Sequence, residues 1–525
     1  MSDASAPHDI LHAPHTVGEL FVRAVRRYGP RPAIRFEGRT LTYAEMGEGI
    51  SRFVQALRDV GVGRGTGVCV LISNRPETIM LRAAILLLGA RYTPLNPLGS
   101  VSDHIFVTGD AEAELLIVED RFAGMLDAIV RETGVAKVQT IGHVEGRGDL
   151  LAAAARKTPE PLRCEADPLG IAGINYTGGT TGKPKGIIYS HRVLVMNVLM
   201  ALAEWDWPPR PNMALMTPMA HAAGYLTAPV FVKGGTVHIQ DGFDAGAFID
   251  AVEHDRISAT FLVPTMIYAL VTHPRVREAD LSSLKLIVYG AAPISPALLD
   301  EATGIFGPVF LQLYAQSEAP MTVTTLNLDD HLTDDPARLL SCGFPMVGVD
   351  VRLLDDDGQQ VAVGEVGEVC VRGPLVMEGY WNRPDENEAT LRDGWLHTGD
   401  LAREDAQGYI YVVDRKKDMI ITGGFNVYPK EVEDALTGHP AVAQAAVFSV
   451  PDAKWGEAVK AAVVVRPGAA PEERELIDHV RALKGAVATP KSIDFIDAMP
   501  QTSLGKPDKQ ALRAPYWREA RRNVS

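Results

Sequence analysis

The chain has 525 residues, 46% of them hydrophobic and 22% charged, which is enough apolar material for buried sheets and too little charge imbalance per residue for a disordered chain. Its 51 basic and 66 acidic residues leave a net charge of −15, which repels a nucleic-acid backbone and sets that partner aside. The four cysteines, Cys69, Cys164, Cys342 and Cys370, are too dispersed for a zinc knuckle or a disulfide framework, so a reduced, cytoplasmic setting is expected.

The N-terminal residues lack a basic segment followed by an apolar core, and the most apolar stretch, 79–90, is short and broken by Arg82, so neither an export signal nor a membrane span is expected. Thr42-Tyr-Ala-Glu45 reads as a capping box opening a helix whose Met46, Ile50, Phe53 and Leu57 share one face, and Gly61 stops it. Residues 68–72 form an apolar run of strand length. A helix over 77–88, a strand over 115–118 and a helix over 122–131 follow, and 259–263 and 284–288 are again strand-like. This alternation predicts α/β layers with largely parallel sheets.

The texture changes near residue 340. Residues 349–354, the turn Asp356-Asp-Gly358 and residues 361–372 predict short antiparallel strands joined by hairpins, a small barrel-like subdomain. Beyond the charged run 414–418, the segments 432–436, 442–450, 461–465, 476–483 and 493–496 alternate as an α+β unit of about 110 residues, enough for an independent domain. The expected division is therefore 1–413 and 414–525.

The segment Tyr176-Thr-Gly-Gly-Thr-Thr-Gly-Lys-Pro-Lys-Gly186 carries the strongest chemical signal. Its glycines let backbone N–H groups approach an anion, while Thr177, Thr180 and Thr181 add hydroxyls and Lys183 and Lys185 add cations, so a polyphosphate suits it. It is no Walker loop, because Thr177 and Pro184 stand where that pattern needs glycine and a hydroxyl residue. No GxSxG occurs, so a serine nucleophile elbow has no candidate.

On this loop, and on further motifs in order, the chain resembles the adenylate-forming superfamily of acyl-CoA synthetases, firefly luciferases and peptide-synthetase adenylation domains. The resemblance implies a large N-terminal domain of layered α/β subdomains with a small β-barrel-like subdomain, then a small mobile C-terminal domain. It implies ATP, Mg²⁺ and coenzyme A as cofactors, and Thr177, Gly178, Gly179, Thr180, Thr181, Gly182, Lys183 and Lys185 as the phosphate loop. Tyr289-Gly-Ala-Ala-Pro293 matches the loop against adenine, which brings in Gly290, Ala291, Ala292 and Pro293. Gln312-Leu-Tyr-Ala-Gln-Ser-Glu318 matches the family's Tyr-Gly-x-Thr-Glu element: Tyr314 stacks on adenine, Gln312, Ala315, Gln316 and Ser317 line the nucleotide, and Glu318, with Thr177, ligates Mg²⁺.

The same resemblance gives Asp400, in Trp395-Leu-His-Thr-Gly-Asp400, the ribose hydroxyls, and Arg415 the ribose and phosphate. Lys417 matches the hinge, Gly423 and Gly424 the loop lining the thiol tunnel, and Lys506 the catalytic lysine that bridges substrate carboxylate and α-phosphate. His221 matches a histidine beside the acyl pocket, with a gating role. The small residues Ala220, Ala222, Ala223, Gly224, Gly290, Ala291, Ala292 and Ala315 suggest a roomy, uncharged wall suited to an apolar acid, whether fatty, aromatic or polycyclic. One departure stands out: Ala315 replaces the family's glycine, so its methyl is expected to crowd the substrate carboxylate or to demand a positive φ.

The implied activity is ATP-dependent ligation of a carboxylic acid to CoA. A ligase impaired in adenylation that transfers preformed acyl-AMP, and an enzyme loading a carrier protein, stay open beside it, as does a homodimer.

Overall fold

The computed structural model describes residues 15–176, 184–292, 294–333, 335, 337–416, 418–422, 425–452, 454–501 and 507–522, the last five without their side chains. Two large sheets form its body. In the eight-stranded sheet, six strands run parallel, from Ile171–Tyr176 through Arg91–Leu95, Gly67–Leu71, Leu115–Glu119 and Lys137–Ile141 to Gly148–Asp149. Gly186–Ser190 and Gly379–Tyr380 add antiparallel strands at one edge. In the nine-stranded sheet, six strands between Phe310–Gln316 and Pro32–Phe36 are also parallel. Strands such as Gly67–Leu71, Leu115–Glu119 and Leu286–Gly290 are buried at every position, which is why they read as unbroken apolar runs: helices cover both faces.

The helix Tyr43–Asp59 opens on the expected capping box, with Thr42 and Glu45 bonded reciprocally. Pro76–Leu87 is buried almost all round and packs on it, so its apolar stretch is core. No helix among the described residues is long and apolar enough to cross a membrane.

A five-stranded antiparallel sheet follows, made of Asp350–Leu354, Gly367–Arg372, Leu391–Arg392, Trp395–Glu404 and Ile410–Arg415. The expected strand over 361–372 starts only at Gly367, because Gly364 turns the chain at φ +90° and Val363 stands 64% exposed. Asp414 and Arg415 belong to the last of these strands, so the expected boundary at 414 falls inside an element of the body.

The C-terminal unit is a second five-stranded sheet, centred on the long hairpin of Val442–Asp452 and Gly456–Val465. The helices Pro429–Thr437, Glu473–Ala488 and Lys509–Arg522 pack around it, and Val432, Leu436, Val447, Leu476 and Val480 form its own core. The chain thus builds a mixed α/β body and a small α+β unit.

Candidate active site

Antiparallel register between Trp395–Glu404 and Ile410–Arg415 sets Asp400 opposite Arg415. Asp400 is 5% exposed, and its carboxylate gathers three donors. The Tyr314 hydroxyl donates to Oδ2 at 2.7 Å and the Gln316 amide to the same oxygen at 2.6 Å, while Arg415 Nε lies 3.3 Å from Oδ1. Gln316 also donates to the Thr398 carbonyl at 2.9 Å. Burial, and then the Asp400 charge, push the Tyr314 phenol well up, so it stays a donor. Behind them Tyr289 donates to Gln312 at 3.2 Å and meets His331 Nε2 at 2.9 Å.

Tyr314 and Gln316 flank Ala315, where the pairing with Ala319–Leu326 shifts register. The bulge takes up the irregularity. Ala315 has no positive φ, so the conformational half of the expectation for its methyl is overturned. Positive φ is found instead at Ala291, at +67° and exposed in the turn after Gly290, and at Met321, at +68° in the partner strand. Ser317 is exposed, and its carbonyl accepts the Tyr189 hydroxyl.

Glu318 is half-buried, and its Oε1 accepts the Tyr380 hydroxyl at 2.8 Å. Its second oxygen makes no hydrogen bond among the described residues, so a hard oxygen donor is left for a divalent cation. Burial, followed by the Glu318 charge, raises the Tyr380 phenol and keeps it protonated. Lys185 Nζ lies 4.9 Å from the centre of the Tyr380 ring and pairs with Glu386. Lys185 directly precedes the strand Gly186–Ser190, which pairs with Ile171–Tyr176, so this end of the strand pair meets the Tyr380 that bonds Glu318. Thr177, Gly178, Gly179, Thr180, Thr181, Gly182, Lys183, Pro293, Lys417, Gly423, Gly424 and Lys506 lie outside the described residues. An antiparallel bridge joins Gln501 and Pro507, and the Asp508 N–H donates to the Pro500 carbonyl at 2.8 Å.

His221 stands just before the helix Ala222–Val232 with Nε2 buried and unpartnered, and burial lowers its pKa, so the ring is neutral near pH 7. The small residues around it do not all leave room. A Cβ on Gly224 would meet the Met219 carbonyl at 2.2 Å, and one on Gly290 the Leu313 carbonyl at 2.6 Å, so backbone packing demands these glycines. Nor is the segment free of charge, because Arg82 reaches the Gly224 carbonyl at 2.5 Å.

Between the body and the C-terminal unit, buried Asp414 accepts the Lys430 N–H at 2.8 Å, and Arg403 pairs with Glu431 at 2.6 Å. Lys509 pairs with Glu433 at 2.7 Å; burial disfavours its charge, but Glu433, Asp414 and Asp418 outweigh that. Tyr380, Arg82 and Lys509 carry no motif and were not anticipated from sequence.

The description "AMP-binding enzyme" matches residues 21–381, and "AMP-binding enzyme C-terminal domain" matches residues 431–506. The chain belongs to the AMP-binding enzyme family. Within that family it is an acyl-CoA synthetase, and its relatives agree. It is 44% identical to a medium/long-chain-fatty-acid–CoA ligase of Mycobacterium tuberculosis, covering 100% of this chain and 94% of that one. It is 38% identical to a feruloyl-CoA synthase of an Amycolatopsis species, over 95% and 99% of the two chains. Among solved structures, the amide bond synthetase McbA from Marinactinospora thermotolerans superposes with a TM-score of 0.89 at 33% identity, covering 95% of this chain and 100% of that one.

Proposed function

We propose that this synthetase joins an acid with a largely apolar body to coenzyme A in two steps. A carboxylate oxygen attacks the α-phosphorus of ATP, the bond to pyrophosphate breaks, and acyl-AMP forms. The CoA thiol sulfur then attacks the acyl carbon, AMP leaves, and the thiol proton passes to solvent. Asp400 accepts the ribose hydroxyls, Tyr314 flanks adenine, Arg415 reaches the ribose and phosphate, and the 177–185 loop holds the phosphates. Glu318, with Thr177, would hold Mg²⁺, which when bound neutralises phosphate charge. Lys506 offsets the repulsion between carboxylate and α-phosphate, and His221 gates the acyl side. The unit beyond Lys417 turns between the steps, so that Lys506 serves the first and the 423–424 loop the second.

The observation that carries this reading is the convergence of Tyr314, Gln316 and Arg415 on the buried Asp400 carboxylate. ATP–pyrophosphate exchange over a panel of fatty and aromatic acids, with and without CoA, tests it. The expected result is exchange without CoA on at least one acid, and thioester only when CoA is added. No exchange on any acid would sink the adenylation step.

A further inference from the structure

The strand Gly367–Arg372 is buried over its first five residues and carries one charge there, Glu368, which is 7% exposed. A carboxylate so placed is costly unless donors and cations meet it, and an apolar residue would bury more cheaply. What meets it is an irregularity in the neighbouring strand. In the pairing with Trp395–Glu404, Cys370 lies opposite His397 and Glu368 opposite Leu401, so Val369 alone faces Thr398, Gly399 and Asp400 and the strand bulges there.

A bulge takes backbone groups out of the ladder, and buried ones need other partners. Here the partners come from Glu368 and from the bulge itself. Glu368 Oε1 accepts the Gly399 N–H at 3.0 Å, the Thr398 hydroxyl donates to the Val369 carbonyl at 2.7 Å, and the Asp400 N–H donates to Thr398 Oγ1 at 3.1 Å. From the strand on the other side, the Lys416 N–H donates to the Gly399 carbonyl at 2.8 Å, and Lys416 Nζ reaches back to within 3.7 Å of Glu368 Oε2. His397 Nδ1 lies 3.3 Å from that same oxygen and Arg392 Nη2 3.9 Å. Glu368, Cys370 and His397 bring possible ligand atoms within 4.8 Å of one another, but Arg392 and Lys416 already supply positive charge there, so the carboxylate is met without a metal. Tyr314, Gln316 and Arg415 meet the Asp400 carboxylate, and Glu368 fixes the backbone that carries it.

We propose that Glu368 is a positioning residue of the ligase: by accepting the Gly399 N–H it fixes the bulge that aims the Asp400 carboxylate at the ribose hydroxyls. This rests on the ribose reading of Asp400 given above and adds to it the group that holds the turn. A site built to hydrogen-bond a hydroxyl rejects the analogue lacking it, but only while its acceptor is held in place.

The test is pyrophosphate exchange on the best acid with ATP and with 2′,3′-dideoxy-ATP, read as the ratio of kcat/KM for the two nucleotides. The native enzyme is expected to favour ATP by about tenfold or more, and Glu368→Met, which fills similar volume without an acceptor, to bring that ratio below about threefold. Glu368→Gln, whose amide oxygen still accepts from Gly399, is expected to keep most of the preference. A merely structural role would lower exchange on both nucleotides alike and leave the ratio standing. That outcome, or a fall in Glu368→Gln as deep as in Glu368→Met, would overturn the inference alone. A native ratio near one would sink the ribose reading of Asp400 and this inference with it. Should Glu368→Met fail to fold, Glu368→Asp keeps the charge for Lys416 but draws the carboxylate back from Gly399 by one methylene; it is expected to lower the same ratio, and an unchanged ratio there overturns the inference.

Discussion

The Asp400 cluster, read as the nucleotide side, and the His221 cluster, read as the acyl side, are both built from buried polar groups, but they treat them differently. Around Asp400 none of the buried polar atoms of Gln312, Tyr314, Gln316 or Asp400 is orphaned, and each side chain holds another in place. Around His221, Arg82 Nε and His221 Nε2 are left without partners. A closed network is rigid before any ligand arrives and suits a part, the nucleotide, that every turnover shares. Open donors and acceptors leave a cost standing, because an unmet buried group costs more than a met one gains.

Breaking the closed side should have the largest effect. Asp400→Asn turns an acceptor into a group that also carries an N–H₂, facing the donors of Tyr314, Gln316 and Arg415. Arg415 is 45% exposed, so solvent screens its share, and the loss comes mainly from the two hydrogen bonds beneath. About 3 kcal/mol, or about 10²-fold in pyrophosphate exchange, is expected. An unchanged rate would mean that the network is only structural.

A step away, the Tyr380 hydroxyl donates to Glu318 and orients it. Tyr380→Phe removes one hydrogen bond to a carboxylate read as a cation ligand, so about tenfold more Mg²⁺ should be needed for half-maximal exchange, with little change at saturating Mg²⁺. An unaltered Mg²⁺ titration would detach Glu318 from the metal.

The open side should show itself in acid. His221 is held neutral by burial, with its folded pKa below the unfolded value of about 6.5. Its contribution to stability is therefore fully present above that pH and is lost as pH falls through the folded value. His221→Asn, which cannot take the proton, should close or reverse the native advantage in melting temperature between pH 7 and pH 5. Parallel melting curves across that range would mean that the ring meets solvent.

What could be read from sequence follows the same divide. Asp400, Arg415, Tyr314 and Glu318 stand in short runs that match a family's motifs in order, and the parallel strands announce themselves as apolar runs bounded by glycine or turns. Tyr380 and Arg82 sit alone in ordinary surroundings. Arg82 interrupts an apolar stretch, a sign that excludes a membrane span, but only the fold shows that its helix is buried and that its cation meets a carbonyl and two tyrosine rings and, among the described residues, no carboxylate. Gly224 and Gly290 mislead in the opposite direction. A run of small residues promises space, whereas carbonyls of Met219 and Leu313 lie too close to them for any side chain.

The smallest effect is expected at the seam between the two sides, at Ala315. A methyl there raised two concerns, a strained backbone and a crowded carboxylate. The first is gone, since the register shift between Tyr314 and Gln316 lets an ordinary residue occupy the position. On the second, Ala315 is half-buried and packs against the main core, so its methyl has protein partners. Ala315→Gly should then remove a small packing contact and add chain entropy, costing about 0.5–1 kcal/mol of stability. Pyrophosphate exchange on the best acid should stay within about twofold, because no near-attack geometry is relieved. Both steps can be timed, exchange from ATP and transfer from supplied acyl-AMP. A several-fold gain in exchange with transfer unchanged would show that the methyl does stand in the path of the carboxylate, and that the seam belongs to the chemistry rather than to the packing.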